Sequence, residues 1–357
     1  MKTSILVLCS TFLCSICFAQ LPPVAQALYN ETYSYNVSQG QYATTNSVQV
    51  LPTADGNSFY LKWFPSSVTT PSSAPLIVTL HGSGSTAFAE FSAWHTKAQA
   101  KGCGIIALQF YRGNAAVPPN DYFDDPVLYS YIDTALKRIH YPSNKALFHG
   151  FSRGSARSYA MAYYDRPAIG GKNYFCTIMS NAGGPDSSYA LYNQINSGSN
   201  HFLFANKCWA MFSGGLDTNK GSKPQAMISA KNWVQANGGS VGLFIYDATK
   251  GHGGFHLTPA YIDSLLNFYQ KCYLTSGISN VSAKNNDFEI YPNPAQAAIH
   301  LTLPNSDKKT LAVYTVTGVL VKSIQVEDRE MQVDISDLAK GYYLITYNGL
   351  SKTLIRE

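Results

Sequence analysis

Past a polar, tyrosine-rich opening at residues 20–47, short apolar runs alternate along the chain with longer amphipathic ones. Residues 48–50 and 58–64 read as two strands with a turn at Asp55-Gly56 between them. Residues 76–80 form a β-branched apolar run that stops at His81-Gly82. The pattern then predicts a helix over 88–101, a strand over 104–110, a helix over 126–140 and a strand over 146–149 that meets a helix starting at Ser152. Further strands are expected at 175–180, 209–213 and 241–246, with helices near 224–236 and 259–273. Short apolar strands alternating with amphipathic helices mean βαβ units and a mostly parallel sheet with helices on both faces. Ligands bind beyond the carboxyl ends of such strands, so chemistry is expected just after Leu80, Phe110, His149, Ser213 and Tyr246.

The pattern changes after residue 277. A polar stretch at 278–287 leads to seven short segments, 288–290, 299–303, 310–315, 319–326, 331–335, 342–347 and 351–355, separated by turn residues. Seven short strands without a helical pattern predict a small C-terminal β-sandwich. The expected organisation is therefore a catalytic domain over 20–277, a linker over 278–287 and a second domain over 288–357.

Composition narrows the class. Charged residues are 13% of the chain and hydrophobic residues 45%, which is globular composition. Residues 20–284 carry 18 Lys+Arg against 12 Asp+Glu, while 285–357 carry 7 against 9. The basic residues are scattered rather than clustered, which argues against a nucleic-acid partner. At the N-terminus, Lys2, the apolar run 5–18 and Cys17-Phe18-Ala19 read as a signal peptide over 1–19. No apolar run is long enough to predict a transmembrane segment. Beyond residue 19 the chain has four cysteines, Cys103, Cys176, Cys208 and Cys272. In an exported protein they allow up to two disulfides in three connectivities; Cys176 and Cys208 each open a predicted strand and are the favoured pair. Close-set metal-ligand spacing such as C-x-x-C is absent among these four cysteines, and neither a metal nor a cofactor is expected.

Gly150-Phe151-Ser152-Arg153-Gly154 matches G-x-S-x-G between a predicted strand and a predicted helix, the context a nucleophile elbow requires. A serine hydroxyl needs a base, and the base needs an orienting acid. Asp217 follows the strand ending at Ser213, and His252 follows the strand ending near Tyr246. Ser152, Asp217 and His252 are the expected catalytic residues. Asp186 and Asp247 are weaker candidates for the acid, and His256, four residues past His252, competes for the base. The glycines around His252 favour it. Backbone N–H groups of Ser83, in the glycine-rich loop after residue 80, and of Arg153 are the expected oxyanion donors. His149 is expected beneath the nucleophile in a packing role, and His81 as a loop-stabilising residue. His95, His140, His201 and His300 have no claim on the site. The aromatics Phe110-Tyr111, Tyr122-Phe123 and Trp209 are candidates to line a pocket.

His81-Gly82-Ser83-Gly84, Phe123-Asp124-Asp125 with Arg138-Ile139-His140-Tyr141, and Phe148-His149-Gly150-Phe151-Ser152-Arg153-Gly154 resemble the extracellular esterase family of polyhydroxybutyrate depolymerases and feruloyl or acetylxylan esterases. The resemblance is closest over about residues 74–165 and implies the α/β-hydrolase fold, a Ser-Asp-His triad, no cofactor and an extracellular ester substrate, polymeric or polymer-derived. The acid and the histidine carry over by position alone. Residues 288–357 resemble the C-terminal sorting domain of the type IX secretion system of Bacteroidota, through Ile290-Tyr291-Pro292-Asn293-Pro294, Val313-Tyr314 with Thr317-Gly318, Val333-Asp334-Ile335-Ser336 and Gly341-Tyr342-Tyr343. That resemblance implies passage through the periplasm and export across the outer membrane, with the secretion machinery as partner. A serine peptidase of the prolyl-oligopeptidase type and an inactive surface binding protein are the alternative functions.

Overall fold

In the computed structural model, strand β3 (Leu76–Leu80) lies at the heart of an eight-stranded sheet with every residue buried. The described residues are 21–185, 192, 203–205, 207–275, 288–303, 309–315, 319–326, 328–347 and 350–357. The expected signal peptide and linker, with Asp186 and His201, lie outside them. The chain divides into two compact units, Met1–Gly277 and Ile278–Glu357.

The first unit's strands are β1 (Gln49–Pro52), β2 (Phe59–Trp63), β3, β4 (Gly104–Leu108), β5 (Ala146–Phe151), β6 (Phe175–Asn181), β7 (Cys208–Gly214) and β8 (Ser240–Asp247). Their order in the sheet is β1-β2-β4-β3-β5-β6-β7-β8, with β2 antiparallel to both neighbours and all pairs from β4 to β8 parallel. This is the α/β-hydrolase arrangement. Alternate residues of each strand supply opposite cores: Leu76, Val78 and Leu80 face one, and Ile77, with Ile105 and Ala107 of β4, the other. Both faces must be covered, hence the continuous apolar runs.

Helices α1 (Pro23–Tyr35), α2 (Val37–Thr45), α3 (Ala87–Ala100), α4 (Asp125–Lys137), α5 (Arg153–Tyr164), α6 (Pro224–Ala236) and α7 (Pro259–Thr275) supply that cover. Thr86 caps α3 by accepting a hydrogen bond from the Ala89 N–H, and Phe88, Phe91 and Trp94 carry its buried stripe. Helices α1 and α2 occupy the opening stretch in which the sequence predicts no element. Pro23 at the first helical position starts α1, and only Ala25, Leu28 and Thr32 are buried, too few for an apolar stripe.

The disulfide joins Cys208 to Cys272, with Cα atoms 6.5 Å apart, and corrects the expected Cys176–Cys208 pair. Cys176 is a buried free thiol, as is Cys103. Strand spacing points to neighbouring strands, but α7 crosses the face of β6 to β8 and brings Cys272 over Cys208. The bridge closes a separation of 64 residues. On loop-closure entropy, Cys272→Ser is expected to lower the unfolding free energy by about 4 kcal/mol in urea denaturation. The double variant C208S/C272S should lose no more than the single one.

The second unit is a sandwich of two antiparallel sheets. One has the order β13 (Glu330–Asp334), β10 (Ala298–Thr302), β9 (Glu289–Tyr291). The other runs β12 (Leu320–Val326), β11 (Lys309–Thr315), β14 (Gly341–Tyr347), β15 (Leu350–Arg356). Ile299, Leu301, Leu311, Val313 and Ile345 fill the core between them. Among the described residues, no helix is long and apolar enough to cross a membrane.

Candidate active site

The turn from β5 into α5 forces Ser152 to φ +53° and ψ −112°, a backbone conformation that costs a non-glycine residue about 1–3 kcal/mol. Its neighbours make room for that turn. A side chain at Gly150 would overlap the Gly154 carbonyl, and one at Gly154 would sit 2.5 Å from the Leu80 carbonyl oxygen. Hydrogen bonds on both sides hold the bend: the Ser152 N–H donates to the Asn181 carbonyl at 2.8 Å, and the Ser152 carbonyl accepts from the Ala156 N–H at 3.0 Å.

Asp217 and His252 reach the serine from two loops tied together by backbone. The Gly215 N–H donates to the Asp247 carbonyl at 2.7 Å and the Leu216 N–H to the Lys250 carbonyl at 2.8 Å. His252 Nε2 lies 2.8 Å from Ser152 Oγ, and His252 Nδ1 lies 2.7 Å from Asp217 Oδ2. A carboxylate only accepts, so Nδ1 carries the proton and Nε2 presents its lone pair to the serine hydroxyl. Asp217 Oδ1 accepts from the Asn219 N–H and side-chain amide, both at 3.0 Å. Burial pushes the Asp217 carboxyl up, but hydrogen bonds from His252, the Asn219 amide and Ser222 outweigh it and hold it below the ordinary carboxylate value. Asn219 and Ser222, whose Oγ is also 3.2 Å from His252 Nδ1, went unmarked in the sequence. Their signal was a polar cluster two to five residues past a candidate acid.

Asp247 turns elsewhere. It accepts from the Thr249 N–H and hydroxyl and from the Tyr261 hydroxyl, outside the triad. His256 Nε2 faces Glu90 Oε2 at 3.8 Å, and the Phe151 ring packs against both imidazoles, with centroids 5.0 Å from His256 and 5.1 Å from His252.

Ser83 and Arg153 line the cleft beside Ser152 and His252. Tyr122 braces both: its hydroxyl accepts from the Gly84 N–H at 3.3 Å, and the Arg153 guanidinium lies 3.8 Å over its ring. His81 locks the same loop from beneath. Its Nε2 accepts from the Phe110 N–H at 3.3 Å, so its Nδ1–H donates to the Gly82 carbonyl at 2.8 Å. Burial lowers the His81 pKa to about 4.

His149, three residues before Ser152, is fully buried, as expected, but does more than pack. Its Nδ1 is 2.8 Å from Thr79 Oγ1 and its Nε2 3.2 Å from Asn181 Nδ2. Burial lowers its pKa to about 3 and that of His256 to about 4. The sequence offered one sign of this polar cluster: Glu90 falls among the apolar positions of α3, beside Phe91 and Trp94. His95 bonds Tyr42, and His300 stacks on Tyr291 in the second unit.

The cleft over Ser152 encloses about 1410 Å³. Tyr164, Tyr192 and Trp233 form its aromatic wall, with Tyr192 stacked on Trp233 at 5.1 Å. This corrects the expected lining: Phe110 and Trp209 are fully buried in the core, and Tyr122 stands behind the Ser83 loop.

Residues 289–357 match the family model of the secretion system C-terminal sorting domain. Beta-agarase A of Zobellia galactanivorans is 27% identical over 143 residues, 39% of this chain; the chain spans about a quarter of that relative's length, 25%. Solved structures with a similar chain path include a thermostable esterase, at 15% identity and a TM-score of 0.44, covering 62% of each chain. An esterase from Rhizomucor miehei aligns at 12% identity and a TM-score of 0.49, over 71% of this chain and 98% of that one. Identity this low leaves chemistry to be read from the site itself. Residues 289–357 are a secretion-system sorting domain, which makes this a type IX secreted protein, destined for the cell surface or the medium.

Proposed function

We propose that the protein is a secreted serine ester hydrolase in which Ser152 is the nucleophile, His252 the general base and acid, and Asp217 the orienting acid. The observation that carries this reading is the continuous relay from Ser152 Oγ through His252 to Asp217, with contacts of 2.8 and 2.7 Å. Ser152 Oγ attacks the ester carbonyl carbon while its proton passes to His252 Nε2. The oxyanion that forms takes hydrogen bonds from the N–H groups of Ser83 and Arg153. The intermediate collapses, the carbon–alkoxy bond breaks, and His252 returns the proton to the leaving alcohol. Water, deprotonated by His252, then attacks the acyl-serine, releases the carboxylic acid and restores Ser152.

The substrate class we assign is polymeric or polymer-derived esters: feruloyl or acetyl esters of polysaccharides, or polyesters. A long open cleft with Tyr164, Tyr192 and Trp233 on its wall supports a substrate carrying ring or chain segments beyond the scissile bond. In this reading residues 1–19 direct entry to the periplasm, 20–277 catalyse, 278–287 connect, and 288–357 engage the secretion machinery.

The test uses the purified chain and short-chain p-nitrophenyl esters. The wild type is expected to turn them over and to label stoichiometrically with a fluorophosphonate probe, and Ser152→Ala is expected to do neither while keeping its melting temperature. A folded wild type that neither hydrolyses nor labels would defeat the reading and leave a binding protein on a hydrolase fold. Feruloyl, acetyl-xylan and polyester substrates then separate the three ester classes.

A further inference from the structure

Beneath the nucleophile, on the far side of Phe151 from the cleft, three side chains that the mechanism does not use converge. They are Glu90 of α3, His149 of β5 and His256 of the loop before α7. Glu90 Oε2 lies 3.5 Å from His149 Nδ1 and 3.8 Å from His256 Nε2, and the three atoms all lie within 4.8 Å of one another. The side chains of His149, Glu90 and His256 are 0%, 3% and 16% exposed.

Ordinary core packing leaves this cluster unfinished in three respects. First, Glu90 has only histidines as ion-pair partners, with no Lys or Arg within 4.0 Å among the described residues. Buried carboxylates are normally paired or coordinate a metal. Second, His256 Nε2 is buried with no hydrogen-bond partner among the described residues, which leaves the desolvation of that atom uncompensated. Third, Asn181 Oδ1 is orphaned in the same way.

The hydrogen bonds around His149 connect these facts. Thr79 Oγ1 donates to Glu90 Oε2 at 2.8 Å, so His149 Nδ1–H must donate to Thr79, and His149 Nε2 accepts from the Asn181 amide. Moving the His149 proton to Nε2 and turning the Asn181 amide gives Oδ1 a donor. The same change frees the Nδ1 lone pair toward Glu90 and His256. A cation between the three atoms then gives His256 Nε2 its partner and Glu90 its counter-charge. Asn181 becomes the carbonyl that orients a liganding histidine from behind, as metal sites commonly require.

We propose that Glu90 Oε2, His149 Nδ1 and His256 Nε2 form a buried structural site for one divalent first-row cation, with Zn²⁺ the occupant. Two imidazoles and one carboxylate are a zinc donor set, and tetrahedral bonds to zinc place neighbouring donors about 3.4 Å apart. The observed separations need only small side-chain adjustments to meet that value. The ion joins α3, β5 and the loop that carries His252 at its other end. It is a fastening for the general-base loop, walled from substrate by Phe151.

The experiment uses untagged full-length protein, stripped with chelator, reloaded with Zn²⁺ and dialysed. One Zn²⁺ per chain is expected by elemental analysis, with a higher melting temperature than the stripped protein and the visible spectrum of tetrahedral cobalt when Co²⁺ replaces it. Glu90→Gln and His256→Asn should each weaken Zn²⁺ binding by about a hundredfold or more, and Asn181→Leu by about ten- to a hundredfold. Ser152→Ala and His252→Ala should retain the ion. If Glu90→Gln does not fold, His256→Asn, the least buried of the three positions, carries the test. A folded wild type that retains no Zn²⁺ overturns the proposal. So does retention that survives His256→Asn and disappears in His252→Ala, which would put the ion in the cleft.

Discussion

Replacing His252 with alanine is expected to lower kcat/KM for a p-nitrophenyl ester by about 10⁶, the magnitude that removal of a triad base costs elsewhere. The proposed mechanism gives His252 both proton transfers, and among the described residues no other imidazole reaches Ser152 Oγ: His256 Nε2 points toward Glu90 instead. Asp217→Asn should cost about 10⁴, because the amide cannot accept from both the Asn219 N–H and His252 Nδ1 as the carboxylate does, and the wrong tautomer results. His256→Asn should cost far less turnover than either. The double variant S152A/H252A should be no worse than the worse single variant, since the two residues act as one unit. Steady-state kinetics with active-site titration checks all four. Turnover lost in His256→Asn and kept in His252→Ala would reverse the assignment.

Acid should weaken the fold well before its carboxylates titrate. His81, His149 and His256 are held neutral by burial, with pKa values lowered to about 4, 3 and 4 from an ordinary 6.5. For a histidine with a depressed folded value, the unfolded chain binds the proton first. Stability is therefore complete above about pH 6.5 and falls as pH drops from there toward the folded values. Each group contributes about 1.4 kcal/mol per pH unit in that window, so three together give a loss on the order of 6 kcal/mol between pH 6.5 and 5. The lowered pKa of Asp217 acts in the same sense but at lower pH: its stabilisation is present above the ordinary carboxylate range and is lost as pH falls through and below it. Urea midpoints of chelator-treated protein from pH 7.5 to 4.5 test the slope, which His81→Asn should make shallower. A flat profile would mean that these imidazoles titrate freely.

What the sequence carried, and what it did not, divides along physical lines. Strands β3 to β7 were legible because burial on both faces demands unbroken apolar runs, and the meeting of the Ser152, Asp217 and His252 loops was legible because a parallel sheet delivers its loops to one edge. Gly150 and Gly154 marked the elbow because nothing larger fits against the Gly154 and Leu80 carbonyls. Helices α1 and α2 were not legible, since each buries only two or three small or scattered side chains. Cys272 was hidden as a partner because a helix crossing three strands leaves no spacing to read. The cleft's wall was misread for a related reason. Trp209 lies on a strand and goes into the core, while Trp233 lies on a helix whose placement over the cleft is a tertiary fact. Glu90, His149 and His256 sit on three separate elements, so no local pattern joins them.

Phe151 occupies a position that G-x-S-x-G leaves open to any residue. Here its ring packs against two imidazoles, that of His252 in the cleft and that of His256 beside Glu90. A side chain one residue from Ser152 therefore touches both the cleft and the buried polar cluster. In this chain the wild-card residue of the motif is a shared wall: a substitution there changes the packing of His252 and of His256 at once.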